Sequence, residues 1–268
     1  LKMACVKQSS GTAPIVPMPK KHRTNSVNFP PPQVPSQNPT PPPPPPPPRA
    51  ITRKPLQRNS YKPNNNPFVF SNAIIAINLG LFVWSQISGV NRFQYNMFLS
   101  RVFLDNGEWY RLVTAGFVHF GLFHVAMNMF LLFQLGRMLE PTIGSTKFAL
   151  IYFASLLGGS AGALLLSPTA FTGGASGAVF GVMAAGVVGM RQQGANPFNS
   201  GLGMTFAINI VLTLAIPGIS IGGHFGGALA GAVCGFVMLA PTRIKIPEFV
   251  QYATPILVGA AAIYISLA

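Results

Sequence analysis

The chain has 268 residues, of which 49% are hydrophobic and only 8% are charged, whereas an ordinary soluble domain has about 25% charged residues. This composition is typical of a membrane protein. The formal net charge of +14 invites a nucleic-acid interpretation, but ten of the eighteen Lys and Arg residues precede residue 68. Basic residues beside a membrane span attract anionic lipid and hold a segment on the cytoplasmic side. We therefore expect membrane lipids as partners and no nucleic acid.

Residues 1–67 are rich in Pro, Ser, Asn and Lys and poor in large apolar residues. Such a segment cannot bury enough surface to offset its chain entropy, so we expect a disordered, basic, proline-rich cytoplasmic tail. The eight prolines Pro41–Pro48 predict a polyproline II spacer, with an SH3-type ligand as the alternative. No cleavable secretory signal is evident, although the acid-free tail also fits an organelle transit peptide. Because the chain begins with Leu1, a fragment, a processed form or a later start at Met3 all stay open.

Residues 68–268 contain seven long apolar runs, most of them close to twenty residues. A helix of twenty residues, rising 1.5 Å per residue, crosses about 30 Å of hydrocarbon. We therefore predict an all-α membrane domain over residues 68–268, with a long loop after the first span. The predicted spans are Phe68–Ile87, His119–Leu139, Lys147–Leu166, Ala175–Met190, Gly201–Ile216, Gly222–Ala240 and Phe249–Ala268.

The basic residues predict the orientation of these spans. Placing the tail inside puts fifteen basic residues in cytoplasmic segments and three in the loop after the first span, as the positive-inside rule requires. The second, fourth and sixth helices then run from outside to inside. His124, Ser176 and His224 each lie within about the first two turns of one of them, so we expect all three at a similar depth near the outer face.

Polar residues in these spans suggest acyl-transfer chemistry. Polar side chains are costly in hydrocarbon and usually face the bundle interior, and His124 and Asn128 share one helix face because they are four residues apart. A Ser nucleophile needs a base within about 3 Å, and the developing oxyanion needs donors in a poorly solvated place. Ser176 would be the nucleophile and His224 the base, with the Asn128 amide, the His124 ring and the Ser176 backbone N–H as donors. An interhelical hydrogen-bond pair is the structural alternative for the second helix.

Glycines indicate how two of these helices would meet. Gly177 and Gly181 on the fourth, and Gly227 and Gly231 on the sixth, have the Gly-x-x-x-Gly spacing that lets backbones approach closely. Phe180, one turn beyond Ser176, would pack against the His224 ring, or would serve the packing of the helices alone.

Counting residues excludes other hydrolase classes. Asp105 is the only Asp, so an aspartyl dyad is impossible. There is no His-Glu-x-x-His, and no carboxylate lies near His124 or His224 within a span, so no metal site is expected. Cys5 and Cys234 suggest neither a disulfide nor a metal site. A serine hydrolase of this composition would use a Ser-His dyad without a third, acidic member.

Four motifs resemble the rhomboid intramembrane serine proteases. They are His119-Phe-Gly-Leu-Phe-His124-Val-Ala-Met-Asn128, Gly174-Ala-Ser176-Gly177, His224 followed by Gly227 and Gly231, and Glu108-Trp109-Tyr-Arg111. The resemblance covers about residues 68–268 and implies a bundle of six transmembrane helices plus one additional C-terminal helix. It also implies a Ser176–His224 dyad, an oxyanion hole lined by His124 and Asn128, a structural role for Trp109 and Arg111, and a hydrogen-bonding role for His119. The turn of Glu140, Gly144, Ser145 and Lys147 is also similar to the family's.

The resemblance implies an endopeptidase that needs no cofactor and hydrolyses peptide bonds in or near transmembrane helices of membrane-protein substrates. A substrate helix must unwind before its carbonyl reaches the serine, so helix-breaking residues should favour cleavage. Two other classes stay open: a catalytically silent rhomboid-like protein that binds membrane clients, and a small-solute channel or transporter. We expect the bacterial inner membrane with a cytoplasmic N-terminus, with an organelle inner membrane as the alternative. Substrate identity and oligomeric state are not predicted by the sequence.

Overall fold

The computed structural model describes residues 68–268. The predicted disordered tail and its polyproline spacer lie outside the described residues. Within them the chain is helical, with one isolated antiparallel bridge between Leu99 and Thr172. The helices are α1 (Val69–Ser88), α2 (Val90–Tyr95), α3 (Arg101–Asp105), α4 (Arg111–Thr114), α5 (Leu122–Ile143), α6 (Ser145–Leu166), α7 (Ser176–Gln192), α8 (Leu202–Ala215), α9 (Ile221–Met238) and α10 (Glu248–Leu267).

The seven predicted spans all form helices, and the prediction of an all-α membrane bundle is confirmed. Five of these helices, α1, α5, α6, α9 and α10, are long and apolar enough to cross a membrane. The other two are shorter, with 17 residues in α7 and 14 in α8. At 1.5 Å per residue they extend only about 25 and 21 Å, less than the hydrocarbon thickness.

Helices α6, α7 and α9 meet through glycines at the centre of the bundle. A Cβ placed on Gly159 of α6 would lie 3.0 Å from the Gly223 carbonyl oxygen of α9 and 3.1 Å from Gly177 Cα of α7. Further along the same contact, a Cβ on Gly227 or Gly231 would run into the carbonyl oxygens of Gly177 or Gly181. Side chains are excluded here because backbone lies against backbone, as small-residue spacing predicts.

The segment after α1, predicted as a loop, contains three short helices that are organised by Arg111. The Arg111 side chain is buried and its Nη1 donates to the carbonyl oxygens of Tyr95 (2.7 Å) and Phe98 (3.0 Å). Its guanidinium also lies 3.8 Å from the centre of the Phe103 ring. A planar group with five donors satisfies several carbonyls at once, which explains how a segment with little regular structure stays ordered.

Glu140 binds the N-terminus of α1, although the two are about 70 residues apart. Its carboxylate accepts from the backbone N–H groups of Phe70 (2.8 Å) and Ser71 (3.0 Å) and from the Ser145 hydroxyl (2.6 Å). The first N–H groups of a helix have no partner within the helix and carry a partial positive charge. The buried carboxylate therefore caps α1 and joins it to the turn between α5 and α6.

Candidate active site

Ser176 is the first residue of α7 and is half-buried. The residues before it are held by the Leu99–Thr172 bridge, with both N···O distances 2.9 Å, and by Gly174 N–H donating to the Ala115 carbonyl at 2.8 Å. Gly174 has φ +125°, a conformation that favours glycine, and a Cβ there would lie 2.8 Å from the His124 ring. This segment therefore sets where α7 begins and where Ser176 stands.

His224 lies in the first turn of α9 and is 9% exposed. Ser220 caps the helix by accepting from Gly223 N–H at 3.0 Å. The Phe180 ring stacks on the imidazole, with the ring centres 4.0 Å apart and the planes 21° apart. The cap fixes the backbone at the start of α9, and the stacked Phe180 ring limits how the imidazole can rotate.

The glycine contacts bring Ser176 and His224 to facing turns of α7 and α9. A Cβ on Gly177, next to Ser176, would lie 3.2 Å from the carbonyl oxygen of Gly223, next to His224. Ser176 also shares a helix face with Phe180, whose ring covers His224. No direct hydrogen bond joins Ser176 and His224 among the bonds of residues 68–268. Catalytic hydrogen bonds are often long without substrate and tighten when it binds.

The predicted oxyanion donors lie on α5 beside this pair. A point at the Cβ position of Gly174 is 2.8 Å from His124 Nε2 and 3.7 Å from Ser176 Oγ, so both atoms border one small volume. Asn128 is 5% exposed, and its amide donates to the His124 carbonyl at 2.9 Å. One amide hydrogen is thus engaged within α5, and the second is the donor that an oxyanion would use.

His119 lies in the segment before α5 and is 3% exposed. Its Nε2 is 3.5 Å from the backbone N–H of Ala175, and its ring centre is 5.0 Å from that of His124. The Gln94 side chain donates to the His119 carbonyl at 3.0 Å. His119 therefore connects the first-loop segment, α5 and the residue preceding Ser176.

Trp109 and Arg111 differ in their surroundings, although the resemblance groups them in one motif. The Trp109 side chain is 67% exposed, whereas Arg111 is 2% exposed. Arg111 Nε (2.9 Å) and Nη2 (2.7 Å) both donate to Glu108 Oε2, which also accepts from the Tyr110 hydroxyl at 2.7 Å. Hydrogen bonds from Tyr110 and then from Arg111 hold the pKa of Glu108 below its ordinary value.

Sequence reasoning missed Thr213 of α8, whose hydroxyl lies 2.7 Å from Nδ1 of His224. Thr213 is 2% exposed and lies in a largely apolar helix. A polar residue inside a span was a signal in the sequence. However, single Thr residues often bond back to their own helix, so only the packing of α8 against α9 distinguishes it. In the described residues, no group of three or more His, Cys, Asp or Glu side chains could hold a metal ion.

Comparison with known proteins finds a matching family and several relatives of this chain. The Rhomboid domain model matches residues 106–241. RHOMBOID-like protein 6, mitochondrial, of Arabidopsis thaliana is 30% identical over 202 residues, 73% of this chain and 60% of that protein. Rhomboid protease GluP of Bacillus subtilis (strain 168) is 33% identical over 131 residues, 48% of this chain and 26% of that protein. RHOMBOID-like protein 1 of Arabidopsis thaliana is 36% identical over 136 residues, 49% of this chain and 35% of that protein.

The Rhomboid match covers about half of the chain and contains all the polar residues described on α5, α7 and α9. The chain therefore belongs to the rhomboid family and is an integral membrane protein. That family includes serine-type membrane proteases. The chain spans between 26% and 60% of the length of the three relatives above.

Proposed function

We propose that this protein is an intramembrane serine endopeptidase that hydrolyses peptide bonds in or near transmembrane helices of membrane-protein substrates. The observation that carries the proposal is the glycine-lined contact of α7 with α9. It sets Ser176 and His224 on facing turns, with the Phe180 ring stacked on the imidazole. Membership of a family that includes Rhomboid protease GluP supports the same reaction.

Ser176 is the nucleophile in the proposed reaction. As its Oγ bonds to the substrate carbonyl carbon, His224 Nε2 takes the hydroxyl proton. The carbon–nitrogen bond then breaks, and His224 returns the proton to the leaving amine, which leaves an ester on Ser176. Water attacks this ester while His224 accepts a proton from it. The carboxyl product departs, and Ser176 regains its hydrogen.

The oxyanion formed in each step needs donors that are already in place. The start of α7 supplies backbone N–H groups at Ser176 and Gly177, because the first N–H groups of a helix have no partner within it. The free amide hydrogen of Asn128 and the His124 ring supply the others, since Nε2 of that ring and Ser176 Oγ border the same small volume.

We further propose that the N-terminus is cytoplasmic and the site opens toward the opposite side. Three contacts place basic residues at the helix ends remote from Ser176. Arg243 donates to the Gln192 carbonyl (3.1 Å), Lys147 donates to the Gln251 side chain (2.6 Å), and the Arg137 guanidinium lies 5.0 Å from the centre of the Phe68 ring. The positive-inside rule then makes that end cytoplasmic. The bacterial inner membrane is the proposed location. An organelle inner membrane is the alternative, because the name of one relative contains the word "mitochondrial".

The test reconstitutes the full chain in liposomes with a model protein that has one transmembrane helix. We expect cleavage by the wild type and none above background by Ser176→Ala or His224→Ala. Ser266→Ala is the matched serine control, because the Ser266 hydroxyl bonds within α10 to the Ala262 carbonyl. His22→Ala is the histidine control, and both controls should cleave at the wild-type rate.

Cleavage by Ser176→Ala at the wild-type rate would refute the assigned nucleophile. Binding of the model helix by the wild type without cleavage would instead favour the silent client-binding alternative. Flux of a small solute through the liposomes, unchanged by Ser176→Ala, would favour the channel alternative. Orientation is tested separately by protease protection of a tag at the N-terminus in sealed membranes.

A further inference from the structure

Thr213 of α8 connects the candidate base to a helix that lies outside the α7–α9 contact. Its hydroxyl oxygen is 2.7 Å from Nδ1 of His224 and 2.7 Å from the backbone carbonyl oxygen of Asn209. Thr213 is 2% exposed and His224 is 9% exposed, so water does not compete strongly for these contacts. The same helix contributes Phe206, whose ring packs edge-on against Phe180 at 6.0 Å between centres.

Counting hydrogens assigns the direction of these two bonds. A threonine hydroxyl has one hydrogen to donate and two lone pairs to accept with, and a carbonyl oxygen can only accept. The short contact with the Asn209 carbonyl therefore uses the hydroxyl hydrogen. The equally short contact with His224 needs a hydrogen from the ring, so Nδ1 carries it. A neutral imidazole with Nδ1 protonated has its lone pair on Nε2.

We propose that Thr213 is the positioning residue of the dyad, which holds His224 in the tautomer that leaves Nε2 free to take the Ser176 proton. This inference rests on the proposed protease function. The Thr213 hydroxyl is a neutral acceptor that would orient the His224 imidazole, as a carboxylate orients the histidine in a Ser-His-Asp triad. It would also accept from Nδ1–H while the ring is transiently cationic. The Phe180 ring restrains the imidazole from its face and Thr213 restrains it at its edge.

Two substitutions at Thr213 distinguish the effect of its hydroxyl group on the tautomer from the effect of its side-chain packing. Thr213→Val replaces the hydroxyl by a methyl group of similar size, and Thr213→Ser keeps the hydroxyl. Thr254→Val is the matched control, because the Thr254 hydroxyl makes the same bond to the carbonyl four residues earlier, Val250 at 2.8 Å, on α10. That control removes a comparable bond within a helix without a histidine partner.

The first readout is the protonation of the His224 ring nitrogens, measured by nitrogen-15 NMR of histidine-labelled protein in liposomes. The chain has four histidines, so the signal lost in His224→Ala identifies the ring. We expect Nδ1 protonated and Nε2 bare in the wild type, Thr213→Ser and Thr254→Val. In Thr213→Val we expect a mixture of both tautomers. Protonated Nε2 with bare Nδ1 in the wild type, or an unchanged ring in Thr213→Val, would overturn the proposal.

The second readout is steady-state cleavage of the model substrate. We expect Thr213→Val to lower kcat about tenfold, as for the loss of one hydrogen bond at the reacting group, with KM unchanged. Thr213→Ser should recover most of this loss, and Thr254→Val should match the wild type. Equal kcat for Thr213→Val and the wild type would overturn the positioning role while leaving the protease assignment intact. If Ser176→Ala cleaves as the wild type does, the Ser176–His224 dyad assignment fails, and the positioning role fails with it.

Discussion

A single methyl group at Gly227 tests whether the glycine contact places the site. In Gly227→Ala the new Cβ would lie 2.6 Å from the carbonyl carbon of Gly177 and 2.9 Å from its Cα. Ordinary contact begins at 3.4 Å, so α7 and α9 must separate by about 1 Å. Gly177 adjoins Ser176, and a misplacement of about 1 Å costs up to about 100-fold in rate. Overpacking of this kind also lowers the free energy of unfolding by about 1–3 kcal/mol.

The assay compares kcat/KM in liposomes and thermal unfolding in detergent with those of Gly80→Ala. Gly80 lies inside α1, and a Cβ there meets no atom within 4 Å. Because alanine is the better helix former by about 1 kcal/mol, that control should be as active as the wild type and at least as stable. We expect Gly227→Ala to lose about 100-fold in kcat/KM. Wild-type activity in Gly227→Ala would refute the reasoning, because the site would then tolerate the separation of α7 from α9.

Two further predictions concern stability outside the site. Glu140→Gln removes one of the two carboxylate oxygens that accept from the start of α1. We therefore expect the free energy of unfolding to fall by about 1–2 kcal/mol. Thermal unfolding measures this change, with Glu248→Gln as the control. The folded-state pKa of Glu108 lies below its ordinary value of 4.5, so its stabilising contribution is present above that value and is lost as pH falls through the lower pKa. The melting temperatures of wild type and Glu108→Gln should therefore differ at pH 7 and converge in acid, and a constant difference would contradict this.

Helix positions were predictable because hydropathy is a local property of the chain. Each predicted span corresponds to a helix whose ends agree within a few residues, as in α1, predicted as Phe68–Ile87 and found as Val69–Ser88. The three short helices before α5 were not predicted. They depend on Arg111 reaching the carbonyls of Tyr95 and Phe98, more than ten residues earlier in the chain. A periodic pattern within the segment does not predict a contact between residues so far apart in the chain.

In the candidate site, too, residue types were predictable from the sequence, whereas contacts between distant residues were not. Residue type and spacing indicated Ser176, His224, His124 and Asn128 as the polar residues near one end of the spans. The sequence contained Thr213 as well, but nothing near it in the chain relates it to a histidine eleven residues away across a turn. Its contact with Nδ1 depends on how α8 lies against α9.

The sequence by itself determined that this is a helical membrane protein with basic residues concentrated at one end, because the cost of placing polar and charged groups in hydrocarbon acts on each residue separately. It also determined which glycines would permit close helix contact. Only the tertiary structure decided which backbones use them, where the Phe180 ring lies, and which nitrogen of His224 has a partner. Those features depend on distances between residues that are remote in the chain, and packing of whole helices sets such distances to within about an ångström.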